Sequence, residues 1–396
     1  MQRSAAAMLM AVLIGLSACT PSPSPSSSTG PGEATAPASS QSGTAGSPSP
    51  SAGPSPSPSL ATLASGAALP ACVPAAPKAS ATVTFVASGH AWALDPSGAN
   101  LTCLFAVTDP GPFDCGPLGD RVLLGGLEVK GVAGGPSLAG SGKTFAAITW
   151  SRPTGKSIVY APTADTSLEK ILLDGAPSQH VTPLKSSKYL SVTYHPSGEA
   201  YAFVVEREGG QSIWISTNRG KTPVQLVFST EGTKFRAMGF EADGKHLLYA
   251  AQHADNHAEL HRIAVTDTTK APVLYEGPVG PAILDIRPGL DTGTSAWTSG
   301  TSCADSIAMA HTSAGNVRAL PDEVRPTRAV GWLGETQLLV ATGGCGEPLD
   351  LSAVDIASDS VAPLVSGVSV AAVRTPVPTP PAPLPGAVVT LGSGFS

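Results

Sequence analysis

The chain has 396 residues, a net charge of −6 and only 13% charged residues, with 43 glycines and 38 prolines. This balance excludes nucleic acid as an expected partner, and abundant turn formers with few charges suit a turn-rich all-β protein. Roughly residues 80–375 have globular composition, enough for one large repeat architecture or two ordinary domains.

At the N-terminus, Arg3 precedes an apolar run from Ala5 to Leu16 that is too short to cross a membrane as a mature helix. This is the pattern of a secretory signal. The run closes on Leu16-Ser17-Ala18-Cys19, which resembles the lipobox of bacterial lipoproteins. That resemblance implies that residues 1–18 are removed and that Cys19 becomes the lipidated first residue. The protein would then be exported and anchored to the outer face of the bacterial cytoplasmic membrane.

Residues 19–75 follow as a Pro/Ser/Thr/Ala/Gly segment, almost without large apolar side chains up to about residue 60. Such a composition cannot bury enough surface to offset its ordering entropy, so a disordered linker is expected. At ~3.1 Å per residue, ~50 extended residues reach on the order of 150 Å. A second Pro-rich tail is expected over 376–396.

The stretch 135–144 reads GPSLAGSGKT and ends like a phosphate-binding loop. Two observations reject a nucleotide site. Ser137 stands where that motif needs its first glycine, and the residues after Thr144, FAAITWSRPTG, read as a strand and a turn. A phosphate loop must instead open a helix.

Six segments then share one pattern of apolar strand, glycine turn and second apolar strand. Their turn glycines are Gly119, Gly155, Gly198, Gly244, Gly289 and Gly334, and the last five are spaced by 43, 46, 45 and 45 residues. A third and a fourth short strand follow in each unit, as in 212–216 and 223–228, or 259–265 and 271–276. Four short strands recurring at this period predict β-propeller blades. The segments YHPSGEAYAFVV and FEADGKHLLYAA resemble the TolB-type, WD40-like propeller repeat. The resemblance covers nearly the whole globular part and implies fold more than function, because propellers serve many roles. The expected fold is a seven-bladed propeller of four-stranded blades, with six as the alternative because the unit at about 111–144 is short. Residues 81–107 supply only three strands, so the lone strand at 368–374 is expected to complete blade 1 and close the ring.

Loops between second and third strands should share a face with the connections between blades. On that face the sequence places Glu206, Arg207, Glu208, His253, Asp255, His257, Glu259, Asp305, Glu347 and Asp350 as a candidate binding surface. Cys303 and Cys345 occupy equivalent loops of neighbouring blades and are expected to form a disulfide. Cys72 and Cys103 could pair, which would leave Cys115 as the odd thiol. His253, His257 and His261 would line one face of a helix and could hold zinc there. In a loop followed by a strand that spacing loses its meaning. Asp255 and Glu259 could still join a loop metal site there, but the reading taken is a polar hairpin loop with scattered histidines, and no metal and no cofactor is assigned. No nucleophile motif stands out either.

The expected function is non-catalytic binding of an envelope protein or cell-wall polymer by a lipid-anchored propeller. Two alternatives stand beside it: an enzyme acting on a cell-wall glycan or peptide, and a small-ligand-binding lipoprotein serving a transporter. The five tryptophans fall in predicted strands and so look structural, which favours a protein partner over sugar stacking.

Overall fold

The computed structural model describes residues 61–374 and Pro381, except 110, 112, 135–136, 138–143, 164–165, 182, 186, 218–222, 230–231 and 321–325. The signal segment, Cys19, most of the linker, nearly all of the Pro-rich tail and most of the glycine-rich loop before Thr144 lie outside the described residues. Phe145–Trp150, directly after that loop, is a strand, so no helix follows it as a phosphate loop would need.

The chain forms a seven-bladed β-propeller. Blade 1 is built from Val370–Val373 as its innermost strand, then Val83–Ala87, His90–Leu94 and Thr102–Ala106. The C-terminal strand thus closes the ring as expected, pairing Val83 with Val373 and Val86 with Val370. Blade 2 has three strands among the described residues, Asp114–Cys115, Arg121–Leu124 and Glu128–Gly131. Blades 3 to 6 are four-stranded antiparallel sheets whose innermost strands are Phe145–Trp150, Lys188–Tyr194, Lys234–Phe240 and Ala282–Pro288. Blade 7 starts at Thr327–Trp332, and its outermost strand Ser360–Val368 accepts a fifth strand, Thr62–Leu63.

That fifth strand lies within the segment the sequence leaves in the linker. Ala61 is buried against blades 7 and 1, and Cys72 is bonded to Cys103 in the outer strand of blade 1. Residues 61–72 therefore strap the seam where the two ends of the domain meet.

The core is distributed between the blades. Seven apolar clusters each fill one seam, for example Leu247, Tyr249 and Ile263 of blade 5 against Ala202, Ile213 and Ile215 of blade 4. Second strands are apolar on both faces because each face packs on a neighbour, and Ala200–Val205 is buried throughout. The innermost strands of blades 3 to 7 each carry a register shift at a bulge, such as Phe235/Met238 and Ala329/Gly331. A bulge adds local twist, which lets a strand turn along a central channel.

The glycine turns have a packing reason. Gly244 sits at φ +68°, and a Cβ there would lie 2.4 Å from Nε2 of His195. That imidazole belongs to the equivalent turn of blade 4, and its Nε2 bonds the Gly244 carbonyl at 2.8 Å. Burial pulls the His195 pKa down, against the backbone hydrogen bond that would raise it. The turn of one blade is thus fitted against the turn of the next.

Candidate functional site

Loops between second and third strands do share a face with the blade connections. The amide of Gly280, between blades 5 and 6, bonds the carbonyl of Asn256 in the blade 5 loop at 2.9 Å. Thr327, entering blade 7, likewise bonds Ser306 of the blade 6 loop at 2.8 Å.

In blade 4, Glu206 and Arg207 end the second strand Ala200–Arg207 and Glu208 is exposed in the turn. Arg207 is held in place: its Nε donates to Ser187 Oγ at 2.6 Å, and its guanidinium lies 5.9 Å from the Trp214 ring. Glu206 pairs with Lys188 at 3.6 Å across the exposed surface, a contact of small energetic weight.

In blade 6, Asp305 caps its own loop. Its carboxylate accepts from Thr301 Oγ1 at 2.6 Å and from the amide of Ser302 at 2.7 Å. The Thr301 hydroxyl and then these backbone donors pull its pKa down to about 2. In blade 7, Glu347 accepts from the amide of Gly344 at 3.0 Å, and Asp350 is the second residue of the strand Leu349–Asp355. Cys303 and Cys345 form the expected disulfide, with Cα atoms 5.1 Å apart. It joins the loops of blades 6 and 7 on this face. The second expected pair, Cys72–Cys103, is also bonded, and Cys115 is free and buried. Burial pushes the Cys115 thiol up to about 12, opposed by a hydrogen bond with Thr84.

The blade 5 loop corrects the expectation of scattered histidines. Its hairpin runs from His246–Gln252 into Ala258–Ala264, with Asn256 at φ +66° making the turn. Glu259 and His261, two apart on a strand, share one face, and the turn folds His253 and His257 back onto it. Glu259 becomes the hub: His253 Nε2 and His261 Nε2 lie 2.9 and 2.7 Å from its Oε2, and His257 Nε2 lies 3.5 Å from its Oε1. Burial works to raise the Glu259 pKa, but the hydrogen bonds from His253 and His261 outweigh it and hold the carboxyl below its usual range. The hydrogen bond to Asp255 raises the His257 pKa.

Inside the ring the innermost strands line a central cavity of about 320 Å³. Asp114, Arg152 and Arg287 face into it. Burial raises the Asp114 pKa, with Arg287 and Arg152 pulling against it. The repeat pattern does not reveal these three, because they come from different blades and match no spacing.

No protein-family model matches this chain, and no curated protein matches it by sequence. Its fold is similar to prolyl oligopeptidase B from Galerina marginata, at 11% identity over 73% of this chain and 51% of that one, with a TM-score of 0.53. This chain spans about half the length of that enzyme. It is also similar to a putative TolB from Agrobacterium tumefaciens (16% identity, 58% of this chain and 83% of that one, TM-score 0.44) and to TolB from Acinetobacter baumannii (13%, 66% and 65%, 0.48). At these identities the likeness concerns the propeller fold and leaves function to the site itself.

Proposed function

We propose that this protein is a cell-envelope lipoprotein, tethered through Cys19 and a Pro-rich linker, whose propeller binds another envelope protein without catalysing a reaction. The observation that carries this reading is the Cys303–Cys345 disulfide across the loops of blades 6 and 7. A bond of this kind holds two adjacent loops in one arrangement, and a pre-ordered surface loses less entropy on binding. Arg207 fixed by Ser187 and Asp305 capping its own loop serve the same end. Exposed Glu206, Glu208 and Asp255 give this face an acidic border that suits a partner with basic groups.

A protein partner is favoured over a glycan by the tryptophans. Trp92, Trp150, Trp297 and Trp332 are buried in blade seams, and Trp214 is covered by Arg207. None of these rings is presented as an open platform for sugar stacking.

The test is crosslinking and capture from intact cells. One sample carries the native protein, and the other carries Gly/Ser replacements of loops 252–259 and 343–350. The native chain should capture a defined envelope protein that the loop-replaced chain loses. Equal capture by both would overturn the assignment of this face, and turnover of a cell-wall glycan or peptide by the purified chain would overturn the non-catalytic reading.

A further inference from the structure

The blade 5 hairpin gathers three imidazoles around one carboxylate. Each neutral imidazole has one N–H and one lone pair. His257 Nδ1 lies 2.5 Å from Asp255 Oδ1, and His261 Nδ1 lies 3.2 Å from the carbonyl oxygen of Ala271. Both neighbours are acceptors. Asp255 claims the N–H of a neutral His257 and leaves its Nε2 lone pair facing Glu259, while His261 Nε2 donates to that carboxylate and holds it. His253 adds a third Nε2 to the same carboxylate, and its Nδ1 lies 3.4 Å from Thr233 Oγ1. A carboxylate ringed by imidazole nitrogens is balanced either by protons on those rings or by a cation standing among them.

Inward-facing Nε2 atoms with Nδ1 held by outer acceptors are the arrangement of a histidine metal site and its supporting shell. We propose that His253, His257 and Glu259 bind one divalent transition-metal ion of the zinc class, with His261 as a positioning residue that holds Glu259.

The distances allow it. One donor atom from each of His253, His257 and Glu259 lies within 4.8 Å of the others. Zinc bonds to imidazole at about 2.0–2.1 Å, so tetrahedral donors stand roughly 3.4 Å apart. Side-chain rotation about χ1 and χ2 must bring the donors together. The His253 and His257 rings are stacked with centroids 4.3 Å apart, so one of them must turn for both lone pairs to meet a single ion. Three protein donors leave a fourth position for water or for a donor from outside the chain. Imidazole donors select zinc, copper or nickel over calcium and magnesium.

A second cluster, Glu241, Asp243 and His246, offers a contrast. There Arg262 already bonds both oxygens of Glu241, at 2.9 and 2.8 Å, and supplies the positive charge. A metal ion would have to displace a bidentate guanidinium. Among the described residues, the hydrogen bonds and ion pairs of the Glu259 carboxylate come from imidazoles and not from a guanidinium.

The test uses the full chain, stripped of metal, titrated calorimetrically with Zn²⁺ and spectroscopically with Co²⁺. One equivalent should bind, and Co²⁺ should give the intense visible absorption of four-coordinate geometry. His253→Ala with His257→Ala should abolish this binding. Glu259→Gln should weaken it at least ten-fold, and Asp255→Asn, which touches no metal, by roughly ten-fold through the ring it orients. His246→Ala and His311→Ala should leave it unchanged. Circular dichroism melts of each variant establish folding, and the exposed Asp255→Asn carries the test where a histidine variant does not fold. Three results would overturn the proposal: no binding tighter than that of the double variant, binding that survives it, or binding lost with His246.

Discussion

The two faces of the propeller are built by different chemistry. On one face the first and second strands join through short glycine turns, and a neighbouring turn packs so close that Gly244 has no room for a Cβ beside His195. On the other face the loops of blades 4 to 7 are each stabilised in their own way: by Arg207 on Ser187, by imidazoles round Glu259, by Asp305 on its own backbone, and by a disulfide. Repetition serves ring closure, where every blade has the same task. Divergence serves recognition, where each loop meets a different part of a ligand. The contrast predicts that damage to the turn face costs stability alone, while damage to the loop face costs binding.

The disulfides give the largest test. Cys303–Cys345 spans 42 residues and Cys72–Cys103 spans 31. Chain entropy assigns each about 4 kcal/mol. Replacing either pair by alanine should therefore lower the denaturation midpoint by a similar amount. Only the Cys303/Cys345 variant should also lose partner capture, measured at a temperature where both variants remain folded. Equal loss of capture would make the loop-face bond merely a stabiliser.

Next in size, Gly244→Val places a branched side chain at positive φ and against His195. Strain and overpacking together should cost about 2–4 kcal/mol in urea denaturation, with capture by the folded fraction unchanged. A smaller effect follows from pH. Burial holds the folded pKa of His195 below its unfolded value. Its contribution is intact above the unfolded pKa of about 6.5 and is lost as pH falls through it toward the folded pKa, because the unfolded chain then binds more protons. His195→Gln should flatten stability over that range. The smallest effect is local to the loop face. Asp305, held at about 2, supports its loop above the unfolded aspartate pKa of about 3.9 and releases it as pH falls through that value toward 2. The protection of the Thr301 and Ser302 amides, relative to intrinsic exchange at each pH, should fall over that interval, while Asp305→Asn should lack it throughout.

Much of the turn face was legible in sequence, because a fixed glycine spacing between apolar strands reports a repeated local constraint. The closing strand was legible too, since 81–107 lacks an innermost strand and 368–374 is one too many. Cys303 and Cys345 could be paired because equivalent positions in adjacent repeats are neighbours in space. The strap was not legible: Thr62–Leu63 is two residues long, and its pairing with Leu63↔Val365 register depends on where the ring ends meet. The convergence of the histidines was not legible for a related reason. Its i, i+4 spacing suggests a helix face, and the convergence on Glu259 arises only when a turn at Asn256 folds two histidines over a strand carrying the third. Asp114, Arg152 and Arg287 meet in the channel by ring geometry, which leaves no trace in local pattern.

The account turns on one face being the partner surface, and site-specific photocrosslinking in intact cells tests that directly. A photoreactive side chain is placed in turn at Glu208 and Ala304 on the loop face, and at Ala176 and Ala314 on the turn face, all four exposed. The account predicts the same crosslinked envelope protein from Glu208 and Ala304 and no specific product from Ala176 or Ala314. Specific crosslinks from the turn face alone, or equally from both faces, would contradict it.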